Sequence, residues 1–222
     1  MRFVKFVNEE MFRELFIYEK RLRIYGTIHS PFDRAARNCL ALYESLIIEE
    51  KNPPDLFLVE TNRKSLELSQ FVFANHDNET QFCLEEGMFN ETAAIAACSK
   101  LGIMHQNRII PIDVESEKTR RKLTRFALFH PWEALVLISQ YHGNAPKTIE
   151  SIEDANEWRS EIKSRCPNAF KILFTDREKF MSEKILHTMS SSSDYFSFSR
   201  NIAVITGLSH VEAIVSELID RR

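Results

Sequence analysis

The sequence predicts a single α/β domain spanning residues 1–222, with a central, mainly parallel sheet flanked by helices. Three observations predict it. Short apolar runs alternate with helical stretches through most of the chain. A length of 222 residues suits one domain better than two. No proline-, glycine- or charge-rich linker divides the chain.

The elements follow in order. Residues 15–26 read as two strands meeting at Glu19-Lys20, with Leu22, Ile24 and Gly26 alternating with Arg21, Arg23 and Tyr25. Ser30-Pro31-Phe32-Asp33 offers an N-cap, a proline at the first helical position and a carboxylate at the third. Ala36, Leu40, Tyr43 and Ile47 continue that helix, which must stop before Pro53-Pro54. Asp55–Glu60 is a short apolar run ending at a carboxylate, as expected of a buried parallel strand. Residues 63–74 read as a helix and 75–88 as a polar loop. Asn90 is placed to cap a helix running to Leu101, which Gly102 ends. Ile109–Asp113 is a third buried strand, with Pro111 favouring a position near an edge. Residues 115–166 are helical with a break at Gly143-Asn144-Ala145-Pro146. Thr175–Glu178 has capping-box spacing and opens a helix towards His187. Ser190–Ser193 is a short serine loop. Asn201–Gly207 is the last strand, and Ser209 with Glu212 forms a capping box for the closing helix.

Composition narrows the classes of partner. The net charge of −3 comes from mixed signs, without a long basic or acidic block, which disfavours nucleic acid and anionic lipid and favours peptides, proteins or small molecules. Cys39, Cys83, Cys98 and Cys166 form no Cys-x-x-Cys pair and read as reduced thiols. The N-terminal stretch lacks the apolar core of a secretory signal, and no uncharged apolar window is long enough to span a bilayer. A cytoplasmic location and no membrane span are therefore expected.

With only five glycines, the chain carries Gly-x-x-His three times, at Gly26–His29, Gly102–His105 and Gly207–His210. Context separates them. The first and third follow apolar strands and precede helices, where open α/β sheets place their sites. In the second, glycine ends a helix, so His105 is not a site candidate. Glu60 closes the second parallel strand and belongs with His29 and His210. Two neutral imidazoles and a carboxylate form the donor set of a divalent metal site open to water, and manganese, cobalt or zinc is the expected ion. Helix N-termini favour the neutral, ligating imidazole. Glu91 is then placed as general base on the water, and Arg177 as the cation for a substrate carboxylate or oxyanion. Each residue alone also fits a structural role: a histidine that caps a helix, a solvated Glu60, a surface ion pair for Arg177. His76, His130, His142 and His187 share no spacing and are read as structural.

The ordered motifs Gly26-Thr-Ile-His29, Asp55–Glu60, Glu91 with Ala93, Ala94 and Ala97, Asp113 with Arg121 and Thr124-Arg125, Asp176–Met181 and Ala203–Val211 resemble the TraB/PrgY/GumN group. That group is related to the Tiki proteases and more distantly to the ChaN and erythromycin-esterase proteins. The resemblance covers nearly the whole chain. It implies an EreA/ChaN-like fold and a site built from His29, Glu60, Glu91, Arg177 and His210. Its Tiki branch implies metal-dependent peptide cleavage. The alternatives it leaves are a non-catalytic peptide- or ligand-binding regulator of the pheromone-shutdown kind and a small-molecule esterase.

Overall fold

A computed structural model describes residues 11–29, 32–48, 53–103, 108–114, 116–142, 149, 151–191 and 199–221. Ser30-Pro31, His105, the break at 143–146 and the serines at 192–193 lie outside them.

Five strands form one sheet in the order β1-β2-β5-β3-β4. They are β1 (Phe12–Ile17), β2 (Lys20–Thr27), β3 (Leu56–Val59), β4 (Ile109–Pro111) and β5 (Asn201–Gly207). Only the β1–β2 pair is antiparallel. Its turn sits at Tyr18-Glu19, one residue earlier than the sequence suggested, and both residues are left-handed, with φ of 49° and 62°. Two consecutive left-handed residues are what a tight hairpin needs, and here they are adopted without glycine or asparagine. Pro111 does lie on an edge strand, where its missing N–H leaves no gap in the ladder.

The alternating side chains of the strands feed two separate cores. Tyr25, Phe57, Val59, Ala203 and Ile205 pack under α1 (Phe32–Ile48), α2 (Arg63–Phe73), α3 (Glu79–Glu86) and α4 (Asn90–Lys100). On the other face, Leu22, Ile24, Leu56, Leu58, Ile202 and Val204 pack under three later helices. α5 (Ser116–Phe129) and α6 (Pro131–His142) come first in the connection from β4 to β5, before α7 (Ile152–Arg165), α8 (Pro167–Phe170) and α9 (Asp176–Ser190). α10 (Val211–Asp220) closes the second layer with α7 and α9. A third cluster, with Phe126, Leu137, Ile162, Phe170 and Phe174, joins α5 to α8 away from the sheet. β2 is therefore buried on both faces, and even Arg23 is fully enclosed beside Tyr25.

Several local expectations are corrected. Residues 75–88 are not a loop throughout, because Asn78 caps α3 and buries Phe82 and Cys83. Asn90 is not a cap: Phe89 holds that position, and the Asn90 side chain is used in the site. Thr175 opens no new helix. The backbone stays right-handed from α8 through a π-helical turn, Lys171–Thr175, into α9. Ser209 lies in a 3₁₀ turn, Leu208–His210, without a capping bond, and Glu212 instead pairs with Arg13 on β1 at 2.6 Å. β4 ends before Asp113, although the Asp113 amide still reaches the Thr61 carbonyl at 3.2 Å.

Candidate functional site

β2, β5 and β3 are neighbours, so the residues at their carboxyl ends converge. Gly207 is the point of convergence. A Cβ built there would lie 3.5 Å from Glu60 Oε2, 3.5 Å from His29 Nε2 and 3.7 Å from His210 Cδ2. These are ordinary contact distances, and the backbone φ of Gly207 is −57°, so glycine here supplies space rather than an unusual conformation. Gly26 likewise supplies close approach, because a Cβ would meet Leu208 Cδ1 at 2.3 Å.

Glu60 is held from three sides. Its Oε2 accepts the Thr206 hydroxyl and the Gly207 amide, each at 2.6 Å, and its Oε1 accepts Arg177 Nη2 at 2.7 Å. Burial opposes the charge and is the largest single influence. The neighbouring His210 and Arg177, with the two donors from β5, outweigh it and hold the carboxyl at about 2. A carboxylate so acidic is a fixed anion at neutral pH and a poor proton acceptor.

Arg177 is equally committed. Nη2 also donates to Asp113 Oδ2 at 2.6 Å and Nε to Asp113 Oδ1 at 3.1 Å. Desolvation would lower its proton affinity, but the Asp113 and Glu60 carboxylates push it upward. The cation expected to meet substrate thus locks two carboxylates together while it lines the cleft. Asp113 follows the same strand-end logic as Glu60 and is the partner that logic passed over.

The two histidines share one design. His29 Nδ1 donates to the Met88 carbonyl at 2.7 Å, which leaves Nε2 turned towards Gly207. His210 is buried, with Nδ1 at 2.8 Å from Glu178 Oε1 and Nε2 at 3.5 Å from Glu60 Oε1. Glu178 also receives Arg159, whose Nη1 reaches the Ser209 carbonyl at 2.7 Å and whose guanidinium lies over Phe174. Burial raises the Glu178 carboxyl, and its bonds to His210 and Arg159 bring it below the ordinary range. Nothing in the sequence signalled Arg159, a mid-helix residue of α7.

A cleft of about 440 Å³ opens beside this cluster, walled by His29, Glu60, Asn90, Glu91, Arg120 and Arg177 among others. Glu91 is buried and accepts the Ser69 hydroxyl at 2.9 Å. Asn90 joins Thr27 on β2 to the Glu60 carbonyl, with Nδ2 donating at 3.0 Å to the latter. Arg120 forms no side-chain bond to a described residue, and the sequence reading did not single it out. A larger depression of about 1010 Å³ along β4 shares Asp113 and Arg177 but includes neither His29 nor Glu60, so the smaller cleft is the candidate site.

His29, His210 and Glu60, the expected metal donors, do meet. Both imidazoles have an anchored Nδ1 and an inward Nε2, as ligating histidines require. Glu60 already accepts three hydrogen bonds, from Arg177, Thr206 and Gly207, so an ion there would compete with Arg177 for Oε1. Among the described residues no trio of His, Cys, Asp or Glu is arranged to hold an ion. The four cysteines are buried free thiols, and among the described residues no helix is long and apolar enough to cross a membrane.

These features define an α/β chain with a polar, ion-paired cleft at the carboxyl ends of its parallel strands. No family model matches the chain, and no curated protein matches it.

Proposed function

We propose that the chain is a TraB-like hydrolase of EreA/ChaN-like fold that cleaves a peptide bond in the cleft beside His29. The observation that carries this reading is the placement of His29 Nε2 at the mouth of the cleft, across Gly207 from the fixed anion of Glu60. With Nδ1 held by the Met88 carbonyl, Nε2 is the nitrogen that accepts a proton from water. Glu60 then stabilises the imidazolium as it forms. Arg120 supplies a cation for the developing oxyanion or a substrate carboxylate, and the His29 imidazolium returns the proton taken from water to the leaving amine, while Glu91 lines the same cleft. Arg177, Asp113, His210 and Glu178 act by positioning.

A divalent ion, expected from the sequence, would have to displace Arg177 from Glu60 Oε1. Peptide-library cleavage is to be measured with chelator and with added manganese, cobalt or zinc, alongside a model ester. His29→Ala should lower kcat/KM by roughly 10²-fold or more, the usual worth of a general base. Undiminished cleavage would remove His29 from the mechanism. The ion-pair network of Glu60, Arg177 and Asp113 is internally satisfied, and this favours a second reading, a non-catalytic ligand-binding protein. Peptide binding that survives Glu91→Gln and Glu60→Gln, with no cleavage under any metal, would select it.

A further inference from the structure

The outer corner of the helical layer is unusually apolar. Leu128 and Phe129 end α5, and Trp132, Leu135 and Ile138 follow on α6 at spacings that keep them on one face. All five are exposed, from 55% at Ile138 to 78% at Phe129. A contiguous run of large apolar side chains on a surface marks an interaction site more often than chance. The inward faces of the same helices explain why the patch is not a packing accident: Phe126 and Leu137 point the other way and are buried in the third cluster.

The charge around the patch identifies its partner. α5 carries Lys118, Arg120, Arg121, Lys122 and Arg125 against one acid, Glu117, in a chain whose net charge is −3. Arg120 faces the cleft and Lys122 pairs with Asp176 at 2.9 Å, while Arg121, which holds Glu117 at 2.6 Å, and Arg125 border the patch. Arg125 and Arg121 lie one and two turns before Phe129 on the same exposed face of α5. The one acid in the first turn of α6, Glu133, is turned away: its carboxylate accepts the Asn168 amide at 3.0 Å and side chain at 2.7 Å, and the Ala169 amide at 3.2 Å. Those bonds also fix α6 against α8, so the patch is presented on a rigid platform.

We propose that the α5–α6 hairpin docks on an anionic lipid bilayer, with Phe129 and Trp132 seated at the level of the headgroups and Arg121 and Arg125 against lipid phosphates. An apolar face edged by aromatic residues and flanked by cations is the recognised design of a helix lying in a membrane interface. A second copy of the chain is a poorer occupant. A two-fold contact through this patch would bring two cationic α5 helices together, and like charges oppose such an interface.

The full chain is to be floated with vesicles of phosphatidylcholine alone and of phosphatidylcholine with about one-third phosphatidylserine. Binding should require the anionic lipid and weaken with salt. Arg121→Glu with Arg125→Glu should lower the partition coefficient by roughly fivefold or more for each charge lost. Phe129→Ser with Trp132→Ser should abolish flotation. In a Trp158→Phe background, Trp132 emission should shift to shorter wavelength with anionic vesicles only. Absence of flotation with anionic vesicles, or flotation that both double variants leave unchanged, overturns the proposal. A concentration-dependent dimer lost in the Phe129→Ser, Trp132→Ser variant, without vesicle binding, assigns the patch to a second copy instead.

Discussion

Glu60 concentrates the electrostatics of the site in one side chain. Its carboxyl is displaced from 4.5 to about 2, so on folding the chain prefers its ionised form. A depressed carboxyl contributes stability that is present in full above about 4.5 and is lost as pH falls towards 2. The displacement corresponds to on the order of 3 kcal/mol. Denaturant midpoints measured between pH 6 and the acid limit should therefore fall, and Glu60→Gln should remove about that part of the slope. The variant should also be less stable at neutral pH, by about 3 kcal/mol, because the preference of the ionised carboxyl for the folded state is lost while Arg177 keeps Asp113 as its counter-charge. An acid slope unchanged in the variant would show that Glu60 is not the titrating group. The residues at strand ends were legible in the sequence because an apolar run that stops at a carboxylate or at Gly-x-x-His marks its own terminus. Their hydrogen bonds were not legible. Arg177 and Asp113 are 64 positions apart, and the sequence carries no local trace of the pairing that removes Arg177 from solvent.

Elements were read where a backbone demand leaves its mark in residue type. Gly102 is the clearest case. It sits at φ 66°, with its amide bonded to the Ser99 carbonyl at 3.1 Å and the Ile103 amide to the Cys98 carbonyl at 2.9 Å, the two bonds of a Schellman cap. A Cβ there would meet nothing within 4 Å, so the whole cost of replacing it is conformational. Gly102→Ala should lower stability by about 1 kcal/mol without altering the site, as thermal melts and peptide cleavage can check together. Misreadings arose where one residue type serves two ends. Ser209 and Thr175 satisfy a capping-box spacing, but Leu208, Val211 and Phe174 are pulled into buried clusters that set the backbone path first. Burial also overrides polarity in residues 75–88, where two buried side chains, Phe82 and Cys83, are enough to hold α3 against its neighbours.

On the scale of the molecule, the sheet alone does not complete the site. The strands bring Glu60, His29 and Gly207 together, but His210 is oriented from the helical side, by Glu178 and Arg159 and by the Phe174 ring 5.4 Å away. The π-helical turn before α9 brings about this contact: it adds a residue to the helical path, so that Phe174 faces the third cluster while Arg177 and Glu178 face the strand ends. Packing in the third cluster and the geometry of the site are therefore coupled through Phe174 and not through every member of that cluster. Phe126 provides the comparison, since it is buried in the same cluster but stacks on His130 rather than on His210. Phe174→Ala and Phe126→Ala should each cost about 3–5 kcal/mol by leaving a cavity. Compared at a temperature where both remain folded, only Phe174→Ala should also depress peptide cleavage, and it should do so through kcat rather than KM, because a misaligned His210 weakens the support of Glu60 without closing the cleft. Equal losses of cleavage in the two variants would mean that the third cluster supports the site only through overall stability.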